Sequence, residues 1–429
     1  MEIMVKKMND ELKPKALIVG VNLRNDKNFS YSIEELKNLV YACNMDVVGV
    51  ITQNLENINK PYYIGTGKIE DINIGINQYQ ADIVVFDNEL SPVQLRNLEK
   101  KLNISILDRT GLILEIFRSR AKTKEAKLQV ELAKLEYSLP RLVGLHDSLG
   151  RQAGSSTLSN KGSGEKKIEL DRRKIESKIY ELKKRLDELE KIRNNQKKRR
   201  KNSNIPIVAL VGYTNAGKST LMNAYIDTYK KDEDKKVYEE NMLFATLDTT
   251  VRNIEISENK NILLSDTVGF VSKLPHSLIK AFRSTLNEIK DADLILHVID
   301  YSDEKYEEYE KVTTNTLKEI GVDESIPIIK VYNKSDLMLD RLPLVEDKNT
   351  IYISALKRYG IYELSKLIEN ILFKNYIKCK MQIPFQDGDI LSYLNDNAHI
   401  INTKYNEQGT LIELECKPQD YSKYKKYVV

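Results

Sequence analysis

Nine residues, Gly212 to Thr220, constrain this chain more than any others. They read G-Y-T-N-A-G-K-S-T and fit the phosphate-loop pattern G-x-x-x-x-G-K-S/T. The apolar run Ile205 to Val211 before them suits a strand buried in a parallel sheet, and Ser219 to Ala224 opens an amphipathic helix. Glycines let the backbone wrap a phosphate closely, while successive N–H groups and the helix N-terminus supply positive potential. Gly212, Tyr213, Thr214, Asn215, Ala216 and Gly217 would form the cradle, with Thr220 closing it. Lys218 would reach the β- and γ-phosphates, and the Ser219 hydroxyl would ligate Mg2+. A strand–loop–helix of this kind demands an α/β sandwich around it.

The 429 residues allow two to four domains, each with its own core. Cys43, Cys379 and Cys416 are far apart in sequence and suggest neither a disulfide framework nor a zinc site, which fits a cytoplasmic protein. The N-terminus lacks the apolar core of a signal peptide, and no stretch approaches 18 apolar residues, so no membrane span is expected. Net charge is only +4, but Arg118 to Lys201 holds 25 Lys or Arg against 12 Asp or Glu, an excess of 13. The remainder must then carry 4 − 13 = −9. A basic middle on an acidic body points to a polyanionic partner, and RNA phosphates fit it.

Residues 1–120 alternate strands (Ala16 to Val21, Val47 to Thr52, Ile83 to Phe86, Ile104 to Leu107) with helices (Ser32 to Cys43, Val93 to Leu102, and one from about Leu112). This is a small parallel α/β domain. Ile64 to Ile72, I-G-T-G-K-I-E-D-I, resembles a shortened phosphate loop without the full spacing and reads as a structural glycine turn. Residues 121–202 change to heptads. Leu128, Leu132, Leu135, Leu139 and Leu142 recur at 4-3-4-3 spacing, and Ile168, Ile175, Ile179, Leu182, Leu186 and Leu189 form a second seam. An antiparallel helical hairpin follows, with a flexible glycine-rich loop over 143–164. Residues 203–375 form the domain around the phosphate loop, and 376–429 a small α+β segment with a helix at Asp389 to Asn395 and a strand at Leu411 to Glu415.

Three further motifs fall at the ends of predicted strands, where an open parallel sheet binds its ligand. Asp266-Thr267-Val268-Gly269 follows Ile262 to Ser265; Asn333-Lys334-Ser335-Asp336 follows Ile326 to Tyr332; Ser354-Ala355-Leu356 follows Ile351 to Ile353. Asp266 is placed to hold Mg2+ through water, and the Gly269 N–H to sense the γ-phosphate. In N-K-x-D, the Asp336 carboxylate accepts two hydrogen bonds from guanine N1–H and the 2-amino group. Adenine offers neither donor there, so the site takes GTP and GDP. Ser354, Ala355 and Leu356 would support the base through their backbone.

Where many small GTPases carry a water-orienting glutamine after D-x-x-G, this chain has Phe270, so hydrolysis should be slow without a partner. Asn215 could help coordinate K+ beside the phosphates. Phe244, Ala245, Thr246, Leu247 and Asp248 fall in the segment expected to be switch I; spacing leaves Thr246, Thr249 and Thr250 open as the Mg2+ ligand. His276 has no visible acid–base partner and reads as structural.

Beyond the nucleotide motifs, the chain resembles the HflX family of ribosome-associated GTPases. The resemblance rests on I-G-T-G-K-I-E-D-I (64–72), L-D-R-T-G-L-I-L-E-I-F (107–117), A-K-L-Q-V-E-L-A-K-L-E-Y (126–137), L-F-A-T-L-D (243–248), D-T-V-G-F (266–270) and L-P-H-S-L-I-K-A-F-R-S-T-L (274–286). It implies that Thr246 is the switch I magnesium ligand and that Lys218, Thr246 and Gly269 serve catalysis. It also implies binding to the large (50S) ribosomal subunit and its rRNA, stimulation there, and splitting or rescue of stalled ribosomes under stress. Lys161 to Glu169, K-G-S-G-E-K-K-I-E, departs from the family's R-G-P-G-E-T-Q-L-E by two lysines in place of Thr-Gln. A large-subunit assembly GTPase and a GTP-gated RNA-binding protein are the competing readings; a monomer is expected in each.

Overall fold

A computed structural model describes residues 13–143, 161–202, 205–229, 244, 250–273 and 288–429. Two compact units divide the chain: the first takes residues up to Gln196 plus 240–248 and 271–284, the second the rest.

In the first unit, β1 (Lys15–Leu23), β2 (Asp46–Leu55), β3 (Ile83–Phe86) and β4 (Ser105–Asp108) form a sheet in the order β2-β1-β3-β4. Every neighbouring pair is parallel. Strands β1 and β3 are the inner pair, and Val84 and Phe86 are buried with Leu17 and Val19 beneath the helices. This is why those strands read as continuous apolar runs rather than alternating ones. Ser91 starts the helix Pro92–Leu102 with a reciprocal capping box to Gln94. Asp108, the last residue of β4, caps the helix Arg109–Arg120 through the Gly111 N–H at 2.8 Å.

The glycine turn expected at Ile64 to Ile72 is the start of a helix, Thr66–Tyr79. Ile69 and Ile72 bury one face of it, and this apolar stripe outweighs the glycine penalty of about 1 kcal/mol each at Gly67 and Gly75. Two long helices follow, Lys124–Val143 and Lys161–Asn202. Leu128, Leu132, Ile179 and Leu182 form their shared core, flanked by Leu135, Leu139, Ile175, Leu186 and Leu189. Lys183 meets Glu136 across the seam at 2.8 Å, and Lys178 pairs with Glu131. The second helix already begins at Lys161, inside the loop expected over 143–164; Gly162 and Gly164 weaken a helix without forbidding it. Residues 144–160 lie outside the described residues.

The second unit holds a seven-stranded sheet in the order β10-β11-β9-β8-β5-β7-β6. Its strands are β5 (Ile207–Val211), β6 (Thr250–Ser257), β7 (Lys260–Asp266), β8 (Leu294–Asp300), β9 (Ile328–Asn333), β10 (Leu344–Asp347) and β11 (Thr350–Tyr352). The β6–β7 and β10–β11 pairs are antiparallel; the others are parallel. Leu210, Leu264, Leu296 and Val331 from the sheet meet Leu221 and Tyr225 of the helix Lys218–Tyr229 in one core. The chain ends in an antiparallel sheet, β12 (Ile377–Ile383), β14 (Gly409–Cys416) and β13 (His399–Asn406), whose core includes Met381, Leu394 and Ile412. Lys260, only 3% exposed at the β6–β7 turn, pairs with both Glu369 and Glu415 and so ties the two sheets together. The beside-it residue Asn259 donates to the carbonyls of Asn395 and Ala398 at 2.6 and 2.7 Å.

Candidate nucleotide site

The loops after β5, β7, β9 and β11 all leave the C-terminal ends of strands that are parallel neighbours in one sheet, so topology brings them to one edge. The phosphate loop is fixed from both sides. Thr214 N–H donates to the Phe270 carbonyl at 2.8 Å, and Phe270 N–H donates to the Gly212 carbonyl at 3.1 Å. Phe270 is itself buried, so the residue after D-T-V-G acts as a strut for the loop and brings no polar group to a water.

Lys218 is buried at the first turn of its helix, and its Nζ donates to the carbonyls of Gly212 and Tyr213 at 3.1 and 2.8 Å. Burial pushes its ammonium down to about 8, with Asp266 opposing the shift. A Cβ at Gly269 would stand 2.9 Å from the Thr214 Cα as well as from that Nζ, so glycine lets the D-T-V-G turn lie this close to the backbone of the phosphate loop. The Ser219 hydroxyl donates to Asp266 Oδ2 at 2.7 Å, and Thr267 Oγ1 donates to the Leu210 carbonyl at 2.6 Å. A hydroxyl and a carboxylate in contact are oxygen donors of the kind a hard divalent cation selects.

The N-K-S-D motif is tied to the phosphate loop. Asn333 Nδ2 donates to the Ala216 carbonyl at 2.9 Å, while its Oδ1 accepts from the Ala355 N–H at 2.9 Å. A single buried amide thus ties three motifs together. Gly217 has φ +89°, and a Cβ there would fall 2.2 Å from Asn333 Nδ2, so glycine is required twice over. Lys334 adopts φ 59° and reaches Asp300 Oδ2 at 2.6 Å; Ser335 donates to the Tyr332 carbonyl at 2.7 Å. Asp336 pairs with Lys357 at 2.9 Å. Burial raises the Asp336 carboxyl, but its contacts with Lys357 and Ser354 more than offset this and hold it below the usual carboxylate range. Leu356 is exposed, and Asn215 is exposed with φ 63°.

A protein described as GTPase HflX from Caldanaerobacter subterraneus subsp. tengcongensis is 42% identical over 398 residues, covering 93% of this chain and 90% of its own. The chain belongs to the HflX family of GTPases. GTP is its nucleotide and GTP hydrolysis its reaction. The HflX relative from Escherichia coli is 38% identical and covers 88% of this chain and 87% of its own. Family models described as GTP-binding GTPase N-terminal, GTP-binding GTPase Middle Region and 50S ribosome-binding GTPase match residues 30–118, 120–200 and 207–334. A GTP-binding protein from the hyperthermophilic archaeon Sulfolobus solfataricus, solved with GDP, is 25% identical with a TM-score of 0.43, covering 85% of this chain and 99% of that one.

Phe244 belongs to the first unit, where its ring meets Phe117 edge-on at 4.7 Å. Ala245, Thr246, Leu247 and Asp248, with Thr249 and His276, lie outside the described residues. Thr250 opens β6.

Sequence reasoning missed Asp300 and Lys357, which pair with the N-K-S-D lysine and aspartate from elsewhere in the chain. It also missed a buried charge cluster in the first unit. Arg109 pairs with Glu35 and, at 2.8 Å, with Asp87. Ser272 and Lys273, two and three residues beyond Phe270, are part of this unit; Lys273 Nζ lies 2.7 Å from both Asp87 Oδ2 and Ser32 Oγ. Burial alone would raise the Asp87 carboxyl, but Arg109 and Lys273 bring it below its ordinary value. The only sequence signal was Arg109 itself, a charged residue opening an otherwise apolar helix.

Proposed function

We propose that this chain is a GTP-driven switch that binds the large ribosomal subunit and, in its GTP state, splits or rescues stalled ribosomes under stress. The observation that supports the reading is that the chain carries phosphate-loop, D-T-V-G and N-K-S-D motifs at the ends of parallel strands and, before them, a two-helix segment whose sequence holds 13 excess positive charges between Arg118 and Lys201. In this reading residues 1–120, 121–202, 203–375 and 376–429 are its working parts, and the protein acts as a cytoplasmic monomer.

Within the site, Lys218 neutralises charge on the β- and γ-phosphates, and the Gly269 N–H responds to the γ-phosphate beside it. Mg2+ would be held by Ser219 and Thr246, with Asp266 oriented by the Ser219 hydroxyl, and would supply neutralising charge between the phosphates. Asn215 is the residue we assign to K+. The Asp336 carboxylate reads the guanine edge, and its acidity keeps it ionised at neutral pH. Because Phe270 is locked between the loop's own backbone groups, water is positioned poorly without a partner.

The test is GTP turnover with and without purified large subunits. The proposal expects slow turnover alone and stimulation of about tenfold or more on the subunit. Light scattering of intact ribosomes should fall on adding the protein with GTP but not with GDP. Turnover indifferent to the subunit would overturn it.

A further inference from the structure

Strand β8 lies between β5 and β9 and is parallel to both. The loop that leaves its C-terminal end therefore starts between the phosphate loop and N-K-S-D, where an open parallel sheet gathers its ligand contacts. No sequence motif marks this loop. It begins Asp300-Tyr301-Ser302.

Asp300 stands opposite Asn333 in the β8–β9 register, and the Tyr301 N–H donates to the Asn333 carbonyl at 2.9 Å. The Tyr301 ring meets those of Tyr332 and Tyr352 edge-on, at 5.6 and 5.0 Å. The backbone around Asp300 is thereby fixed against β9. Its two carboxylate oxygens are divided between separate partners. Oδ1 accepts the Ser302 N–H and hydroxyl at 3.1 and 2.6 Å and so closes the loop's first turn. Oδ2 accepts the Lys334 ammonium at 2.6 Å, and both side chains are partly buried.

Lys334 is the second residue of N-K-S-D, and its φ of 59° is a left-handed backbone that residues other than glycine rarely adopt. Leu337 N–H closes the following turn on the Lys334 carbonyl at 3.1 Å, with Asp336 inside it. A lysine stem is long and has many rotamers, so holding its ammonium removes most of that freedom in advance of any ligand. A charge-assisted contact from a carboxylate already fixed by its own turn suits that task.

We propose that Asp300 is a positioning residue for guanine binding: by holding the Lys334 ammonium it keeps that lysine's hydrocarbon stem in one conformation, as an apolar wall of the base site beside Asp336. The inference rests on the reading of N-K-S-D as the guanine contact. Lysine stems cover apolar surface while their charged ends are satisfied elsewhere, and here the charged end is satisfied by Asp300.

The test is a double-mutant cycle on the full chain, read by GDP affinity and GTP kinetics. Asp300→Asn keeps an oxygen for Ser302 and puts an amide where Oδ2 held the ammonium. GDP affinity should fall about three- to tenfold. KM for GTP should rise by the same factor while kcat stays within about twofold, the signature of lost uniform binding. Lys334→Met removes the ammonium and should cause the same loss. The double variant should lose no more than either single one, whereas a role of Asp300 in folding alone would make the losses add. Should Asp300→Asn not fold, Lys334→Met still decides, since undiminished GDP affinity there would overturn the proposal. Asp336→Asn is measured alongside. Guanine preference left intact by Asp336→Asn would overturn the reading of N-K-S-D and this inference with it. Preference lost there, with GDP affinity indifferent to Asp300→Asn or with additive losses in the double variant, would overturn this inference alone.

Discussion

Two loops in this chain carry a glycine, a threonine, a second glycine and a lysine ahead of a helix, and they do different things. At Gly212 to Lys218 four residues separate the outer glycines; at Gly65 to Lys68 only one does. The longer loop curls back far enough for Lys218 to donate to the Gly212 and Tyr213 carbonyls, leaving the ammonium buried beside Gly269. In the shorter one the helix begins at once. The Gly65 N–H is taken by Gln53 Oε1 at 3.0 Å, and Lys68 turns outward to Asp71 at 2.8 Å. Local letters are shared. The spacing decides whether a lysine is preorganised for phosphate or merely pairs along a helix surface, where such a pair contributes about 0.3–0.5 kcal/mol.

The comparison can be broken at either loop. The largest effect belongs to Lys218→Ala, which should weaken GTP binding by about a hundredfold or more, because a buried charge-assisted contact is lost; fluorescent GTP-analogue titration measures it. Lys68→Ala should leave the same titration unchanged, and an equal loss there would erase the distinction between the loops. Next comes Gly217→Ala. Its backbone lies at φ +89° and its new Cβ would strike the Asn333 amide, so unfolding free energy should drop by about 1–3 kcal/mol with nucleotide affinity falling alongside.

Smaller still is a pH effect on the empty site. Burial holds Lys218 at about 8 against its ordinary 10.5. Nucleotide phosphates favour the ammonium, so above that value binding must take up a proton. Affinity is therefore full below about pH 8 and should fall above it, by up to about tenfold per unit, in titrations across that range. The same depressed value means that burial of the charged lysine destabilises the empty fold fully below about pH 8, and that this penalty is relieved as pH rises toward 10.5. Smallest is Gly67→Ala. Nothing lies within 4 Å of the added Cβ, and the residue is helical, so thermal unfolding should show a gain of about 0.5–1 kcal/mol or none.

Much of the architecture was legible because it is written locally. Buried parallel strands such as Ile83–Phe86 carry their signal in four consecutive residues. Ser91-Pro92 announces its helix in two, and N-K-S-D, whose Asn333 joins the loops after β5 and β11, is a four-residue signal. What stayed hidden depends on residues distant in sequence. Lys357 reaching Asp336, Asp300 reaching Lys334, and Lys260 seated between Glu369 and Glu415 have no local pattern, because lysines and carboxylates sit on most solvated faces. The helix Thr66–Tyr79 was hidden for a different reason: its glycines looked like turn residues, while its burial relies on Ile69 and Ile72 meeting strands that lie elsewhere in the sequence.

The central claim is that Asp336 selects guanine at a site whose phosphate half is built by Lys218. The most direct measurement is the affinity of Asp336→Asn for GTP and for XTP, whose 2-oxo group replaces the 2-amino donor. An asparagine amide can donate to that oxygen where the carboxylate could only accept. The account predicts that GTP weakens by about tenfold to a hundredfold while XTP strengthens, reversing the preference. Undiminished GTP binding with no gain for XTP would contradict it.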